Sequence, residues 1–325
     1  MSNKRATETS IIIPARNEPF LNKTVDDIFE KASGKIEVIA MLDGYWPDPP
    51  LKYYDNLKII HSGTPRGMRG SINTAANIAT GDFLMKCDAH CMFGEGFDEI
   101  LQADCEENWL AVPRRYSLDP YKWERTDKRP IDYLTLTFPY NTDDTYGTGL
   151  HGKKWPGGWR KEEENKHILI DDIISFQGSC WFMHKKRFFE IGEMDALHYN
   201  FHQEAQELGM KIWLSGGRVI RNKNTWYAHL HKGKTHGRGY YLSKQSMIES
   251  ELYSTNLWMN NLWPGQTRTL KWLIDKFWPL DGWPEDWQDA KYQQQYKHHG
   301  LNVTKKMEKD EGKNYVHTKI NGERG

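Results

Sequence analysis

The sequence is poor in cysteine and carries no surplus of charge. Only four of its 325 residues are cysteines (Cys87, Cys91, Cys105, Cys180), too few for a disulfide scaffold and set in strand-like surroundings. Cys87-x3-Cys91 is read as two buried thiols flanking a strand end rather than as a metal site. Lys+Arg and Asp+Glu are both 44, so the net charge is zero and no bulk electrostatic grip on nucleic acid or membrane is implied. No apolar run reaches the length of a membrane span, and Met1-Ser2-Asn3-Lys4-Arg5 leads into a polar segment without an apolar leader. The expectation is a soluble, cytoplasmic protein. The first strand is followed by Pro14-Ala15-Arg16-Asn17-Glu18 instead of Gly-x-Gly-x-x-Gly, which argues against a dinucleotide fold. A P-loop, Gly-x-Ser-x-Gly, His-Glu-x-x-His and the protein-kinase set are also missing.

What is present alternates between strand and helix patterns. Ser10–Pro14, Ile36–Leu42, Leu57–Ile60 and a fourth segment begun by Phe83, Leu84 and Met85 and ending at Asp88 read as short strands, with helical spacing over Asn22–Lys31 and around Ala75, Ala76 and Ala79. This predicts an α/β fold around a parallel sheet. From about Arg114 to Asp172 the pattern loosens into a Pro-, Gly-, Asp- and Trp-rich stretch, expected to be a long insertion. Order returns over Ile173–Met183, Lys186–Ile191 and Glu204–Leu214, then in two short strand-like pieces, Val219-Ile220 and Trp226-Tyr227-Ala228. Residues 1–245 are expected to form one catalytic domain, residues 246–303 a Trp-rich extension packed on it, and residues 304–325 a loosely held tail. Six of the 14 tryptophans (258, 263, 272, 278, 283, 287) fall within that extension. They either pack it onto the domain or line a groove for a planar or sugar ligand.

The chemistry centres on Asp88-Ala89-His90, at the end of the fourth strand. Side chains two apart on an extended chain point to one side. Ligands collect at the carboxyl ends of strands in open α/β sheets. An acid and an imidazole there can hold a divalent ion, which a diphosphate leaving group needs. Asp43 ends another strand on the same edge and can accept hydrogen bonds from a base or ribose, although an Asp before Gly44 is also a common turn residue. Glu204 and Glu207 share one helix face, usually a solvated arrangement, but Ile212-Trp213-Leu214 on that helix argues for burial and a carboxylate facing a cleft. Leu208–Ile248 contains no acid, eight Lys/Arg and three histidines (His229, His231, His236). It suits a loop closing over phosphates, with Lys232, Arg66 and Arg69 as candidate partners. His229 or His231 can complete the metal site.

These residues together resemble a family 2-type glycosyltransferase of the GT-A fold over roughly residues 9–235. Ser10-Ile11-Ile12-Ile13-Pro14-Ala15-Arg16-Asn17-Glu18 resembles the nucleotide-contacting first strand, and Leu42-Asp43-Gly44 the base- and ribose-binding second site. Asp88-Ala89-His90-Cys91 is similar to the Asp-x-His of the polypeptide N-acetylgalactosaminyltransferases. Gln177-Gly178-Ser179 resembles their donor-sugar loop, and Phe189-x-x-Gly192-x-x-Asp195 the helix that follows. Glu204 falls on their Gly-Gly-Glu-Asn glutamate, followed by the matching Ile212-Trp213-x-x-Gly216-Gly217, and His229 lands on their third metal ligand. The resemblance implies Mn²⁺ or Mg²⁺ on Asp88, His90 and His229, and a nucleotide sugar, expected to be a UDP-sugar. Pro14, Arg16, Glu18, Asp43, Arg66, Arg69, Asp88, Gln177, Gly178 and Lys232 are its expected contacts, with Glu204 and Glu207 as catalytic candidates.

The chain is expected to lack the membrane anchor and lectin domain of that family, and it places Ala205 where inverting relatives carry the base. Retention of configuration is therefore favoured. The acceptor is left open between protein, glycan, small molecule and a hydroxymethylated base in viral DNA. A catalytically silent nucleotide-sugar-binding module is the rival from another class.

Overall fold

The computed structural model describes residues 8–139, 149–198 and 200–289. The first half builds β1 (Thr9–Ala15), α1 (Leu21–Lys31), β2 (Ile36–Asp43), β3 (Leu57–Ser62), α2 (Gly67–Ile78), β4 (Phe83–Cys87), β5 (Cys91–Phe93), α3 (Phe97–Asp104) and β6 (Trp109–Asp119). Then follow β7 (Glu124–Arg125), β8 (Leu134–Leu136), β9 (Gly152–Lys154), α4 (Gly158–Glu164), β10 (Ile170–Asp172), β11 (Cys180–His184) and α5 (Lys185–Glu190). The chain continues through α6 (Glu204–Leu214), β12 (Arg218–His229), α7 (Gly233–His236), α8 (Lys244–Met259) and α9 (Leu270–Phe277).

The main sheet runs β10-β12-β6-β11-β4-β1-β2-β3. The β4-β1-β2-β3 side is parallel, as the alternating pattern predicts. β11 enters antiparallel between β4 and β6. Its presence brings the Gln177–Ser179 segment against the end of β4, where the Asp88 amide donates to the Ser179 carbonyl at 2.9 Å.

Both faces of the sheet are covered, and the strands read as near-continuous apolar runs for that reason. Ile11 and Ile13 point into one core with Val25, Ile28 and Phe97, while Ile12 points into the other with Ile72, Leu208 and Trp213. This is the two-residue alternation of a strand.

Three sequence expectations need correction. The stretch from Arg114 to Asp172, expected to be a long insertion with a loosened pattern, carries regular elements: β6 runs on to Asp119, and β7, β8, β9, α4 and β10 lie within it. Its centre, residues 140–148, lies outside the described residues. The pieces Val219-Ile220 and Trp226–Ala228 are one strand, β12, with a register irregularity between Asn222 and Trp226. The polar residues Asn222, Lys223, Asn224 and Thr225 hid that continuity, because Asn222 and Asn224 donate to Asp104 and Lys223 donates to Tyr133. Third, the acid-free basic segment is not one loop. Arg221 is buried in β12 and donates to the Asp132 carbonyl at 2.9 Å, and Lys211 is buried on α6.

The tryptophans of the C-terminal segment pack. Trp258, Trp283 and Trp287 are buried in the same core as α6, and Trp263 and Trp272 are half-buried against it. Trp283 Nε1 donates to the Leu136 carbonyl at 2.7 Å. Only Trp278 among the six is exposed. Residues 290–325, including the expected tail from 304, lie outside the described residues.

Candidate active site

A cavity of about 890 Å³ opens at the carboxyl ends of β1, β2 and β4. Pro14, Arg16, Glu18, Asp43, Asp88, Gln177, Gly178 and Lys232 line it, as do His90, Glu204 and His229. Thus the sheet edge gathers residues from positions 14 to 232, as the crevice rule for open α/β sheets requires.

Asp88, His90 and His229 place one ligand atom each within 4.8 Å of one another. His229 Nε2 stands 3.2 Å from Asp88 Oδ2 and 3.1 Å from His90 Nε2. His90 turns its other nitrogen, Nδ1, to Glu18 Oε2 at 3.2 Å. A carboxylate behind the distal nitrogen of a ligating histidine fixes its tautomer and ring orientation. Burial holds His229 down at about 3, with the charge of His90 acting the same way and Asp88 opposing, so it enters the site as neutral imidazole. Burial alone would raise the Asp88 carboxyl. The Lys86 charge and the contact with His229 outweigh it and hold Asp88 well below the usual carboxylate range. One carboxylate oxygen and two imidazole nitrogens suit Mn²⁺ or Mg²⁺ less strictly than zinc, but leave positions open for phosphate oxygens. The donor set therefore fits a divalent ion. His231 lines the cavity outside this trio.

Asp43 serves two ends. Its carboxylate accepts the Arg66 and Gly67 amides at 2.5 and 3.1 Å, so it neutralises the amino end of α2 while facing the cavity. Lys232 pairs with Glu18.

Glu204 is nearly buried at the amino end of α6. Its Oε1 accepts Trp181 Nε1 at 2.9 Å and its Oε2 accepts Lys86 Nζ at 3.1 Å. Burial, helped by the Asp88 charge, raises its carboxyl above the ordinary value. A Cβ added at Gly178 would stand 2.6 Å from Glu204 Oε2, so that glycine is required by close approach.

One catalytic candidate, Glu207, and two expected contacts, Arg66 and Arg69, lie outside the cavity lining. Glu207 is fully buried and does not line the cavity. It takes Lys211 Nζ at 2.8 Å, Arg69 Nε at 3.1 Å and the Asp195 amide at 2.6 Å. Arg69 is spent on Glu207 and the His202 carbonyl, and Arg66 turns its side chain to Ser62 and Thr74. Helix spacing put Glu204 and Glu207 on one side of α6, but the helix meets the cavity only at its first turn.

Sequence reasoning missed Lys86, His151 and His202. Lys86 is wholly buried yet charged, its ammonium raised by Asp88 and Glu204 against the opposing effect of burial. His151 and His202 also line the cavity, 3.4 and 3.7 Å from Glu251 Oε1. A lysine inside an apolar strand was the one visible signal; the two histidines sit in irregular segments with none.

The model of glycosyl transferase family 2 matches residues 10–192 of the chain. The chain belongs to glycosyl transferase family 2. This glycosyltransferase is 26% identical over 240 residues to polypeptide N-acetylgalactosaminyltransferase 5 of Caenorhabditis elegans, covering 67% of this chain and 36% of that protein. It is 24% identical over 265 residues to polypeptide N-acetylgalactosaminyltransferase 3 of Homo sapiens, covering 78% and 41%. The chain thus spans well under half the length of these relatives. A crystal structure of GalNAc-T7 with UDP, GalNAc and Mn²⁺ superposes with a TM-score of 0.63 at 14% identity, over 85% of this chain and 57% of that one. That likeness gives the glycosyltransferase its GT-A fold. No helix among the described residues is long and apolar enough to cross a membrane.

Proposed function

We propose that this glycosyltransferase moves a sugar from a UDP-sugar to an acceptor hydroxyl, with retention of configuration and with Mn²⁺ or Mg²⁺ on Asp88, His90 and His229. The observation that carries the proposal is the convergence of those three ligand atoms within 4.8 Å at the wall of the 890 Å³ cavity. Such an ion, when bound, neutralises charge developing on the diphosphate leaving group. The relatives that the chain resembles take polypeptides by name, and one solved neighbour holds UDP and Mn²⁺. The donor class follows them in this proposal; the acceptor is a hydroxyl compound entering beside His151 and His202.

The chain's own residues divide the remaining work. Arg16 and the Asp43 edge receive the nucleoside. Gln177 and Gly178 receive the sugar. Lys232 supplies positive charge beside the diphosphate, and Glu204 orients hydroxyls. Retention is supported by how the acids are engaged. Among the described residues lining the cavity the acids are Glu18, Asp43, Asp88 and Glu204. Glu18 is held by His90 and Lys232, and Asp43 by two amides. Asp88 is held by Lys86 and His229, and Glu204 by Lys86 and Trp181. None stands free as a base for inversion, and Ala205 cannot act as one. Residues 246–289 serve as a packed part of the catalytic unit in this proposal.

The test is thermal stability with a panel of nucleotides and nucleotide sugars, with Mn²⁺ or with EDTA. Stabilisation by UDP and a UDP-sugar only when metal is present is the expected result. Stabilisation that ignores EDTA overturns the metal role, and stabilisation by another nucleotide overturns the donor. The anomeric configuration of the first product decides retention.

A further inference from the structure

Lys86 occupies an interior position of β4, between Met85 and Cys87, with 0% exposure. Its Nζ donates to Asp88 Oδ1 at 2.8 Å, to the Gly178 carbonyl at 2.7 Å and to Glu204 Oε2 at 3.1 Å. An ammonium has three donors, and each has a partner from a different segment. Burying a charge this completely is costly even when it is paired, and an apolar side chain of similar volume carries no such cost.

The arrangement has an electrostatic consequence for the neighbouring ligands. Asp88 gives Oδ1 to Lys86 and turns Oδ2 toward His229 and His90, at 3.2 and 3.8 Å. A cation on the Asp88, His90 and His229 trio therefore shares one carboxylate with a fixed ammonium. Repulsion between two positive centres that share one carboxylate is weakly screened in a partly buried site. Glu204 is no help to the cation, because the ammonium stands between the two carboxylates and bonds both.

We propose that Lys86 holds down the affinity of the trio for a free divalent cation, so that tight binding requires the negative charge of a nucleoside diphosphate. The inference rests on the metal reading above. Lys86 is a positioning and charge-setting residue; it does not line the cavity. The diphosphate restores the negative charge that Lys86 cancels, and ion and donor then bind as a pair. Through the Gly178 carbonyl the same ammonium ties the ion-binding end of the cavity to the expected sugar end.

The experiment titrates Mn²⁺ into the wild-type chain, K86M and K86M/E204Q, with free Mn²⁺ followed by electron paramagnetic resonance, without and with UDP. Thermal melting establishes that each protein is folded. The double variant replaces the buried ion pair by neutral groups and covers the case in which K86M alone does not fold. The wild type is expected to bind Mn²⁺ at least about tenfold more tightly with UDP than without, and the variants to bind Mn²⁺ alone about tenfold more tightly than the wild type. Wild-type Mn²⁺ affinity unchanged by UDP overturns the inference whatever the variants do. A folded variant that binds Mn²⁺ alone no more tightly than the wild type also overturns it, while leaving the metal site intact. No Mn²⁺ binding by the wild type under either condition sinks the metal reading and this inference together.

Discussion

The Nε2 atoms of His90 and His229 face each other at 3.1 Å across 139 residues of sequence. Two imidazole nitrogens gain little from such proximity unless a proton or a cation lies between them. The pair makes a specific demand on mutants. H229A is expected to abolish Mn²⁺-dependent stabilisation by UDP, whereas H231A, outside the trio, keeps it. Equal loss in both variants, read by thermal shift, would assign the third ligand wrongly.

Glu18 stands behind His90 and also pairs with Lys232. Removing its charge leaves the three ligands in place but frees the His90 ring. E18Q is expected to weaken Mn²⁺ binding about 10–100-fold, the usual cost of losing an outer-shell carboxylate. Direct Mn²⁺ titration checks it, and unchanged affinity would mean that the His90 orientation is fixed by packing alone.

Gly178 leaves no room for a methyl group, with Glu204 Oε2 at 2.6 Å from the ideal Cβ. The carboxylate cannot retreat cheaply, because Trp181 and Lys86 hold both its oxygens. G178A is expected to displace Glu204 and lower kcat for transfer by about tenfold or more, the scale on which small misplacements of a site are felt. Steady-state kinetics measure it. A variant with wild-type kcat would show that Glu204 has no part in turnover.

Glu207 carries a different burden. Buried with Lys211, Arg69 and the Asp195 amide, it is a structural centre beneath the cavity. E207A is expected to cost about 3–5 kcal/mol of stability, the cost of leaving buried cations unpaired. Urea unfolding measures it. A loss below about 1 kcal/mol would mean that water or rearrangement satisfies those cations.

Two buried histidines set an acid limit. Burial lowers His202 from its ordinary 6.5 to about 4 and His229 to about 3. Below pH 6.5 the unfolded chain takes up protons that the folded chain refuses, so their contribution is complete above that pH and is lost as pH falls. Each is expected to remove up to about 1.4 kcal/mol per pH unit in that window. Asp27, raised by burial to about 6, opposes them over part of this window, so urea midpoints at pH 7.5, 6 and 5 in EDTA are compared between the wild type and H202N/H229N; the same pH dependence in both would contradict the burial of these rings.

The parallel half of the sheet was legible because its strands are apolar runs bounded by glycine, proline and acids. The Asp88, His90 and His229 trio was legible from residue types and a counted distance along a family pattern. What could not be read was the use of the charges. Lys211 and Arg221 look like solvated residues in the sequence and Glu207 like a cleft-facing acid, yet each is buried on a partner distant in the chain or four positions away. Lys86 was passed over because β4 is too short for one lysine to break its pattern. Cavity membership failed for Arg66 and Arg69 because α2 turns only its first residues, Gly67 and Met68, and Ser71 toward the opening.

The irregularity in β12 between Asn222 and Trp226 controls phase. Beyond it, Trp226, Tyr227, Ala228 and His229 pair in step with Arg114, Arg115, Tyr116 and Ser117. Because alternate residues face opposite ways, a single-residue deletion there would turn His229 away and present a neighbour in its place. The chain's chemistry therefore depends on a reading frame written in backbone rather than in codons: a nascent chain holds Asp88 and His90 early, but has nothing to complete the trio until the last long strand has docked in register.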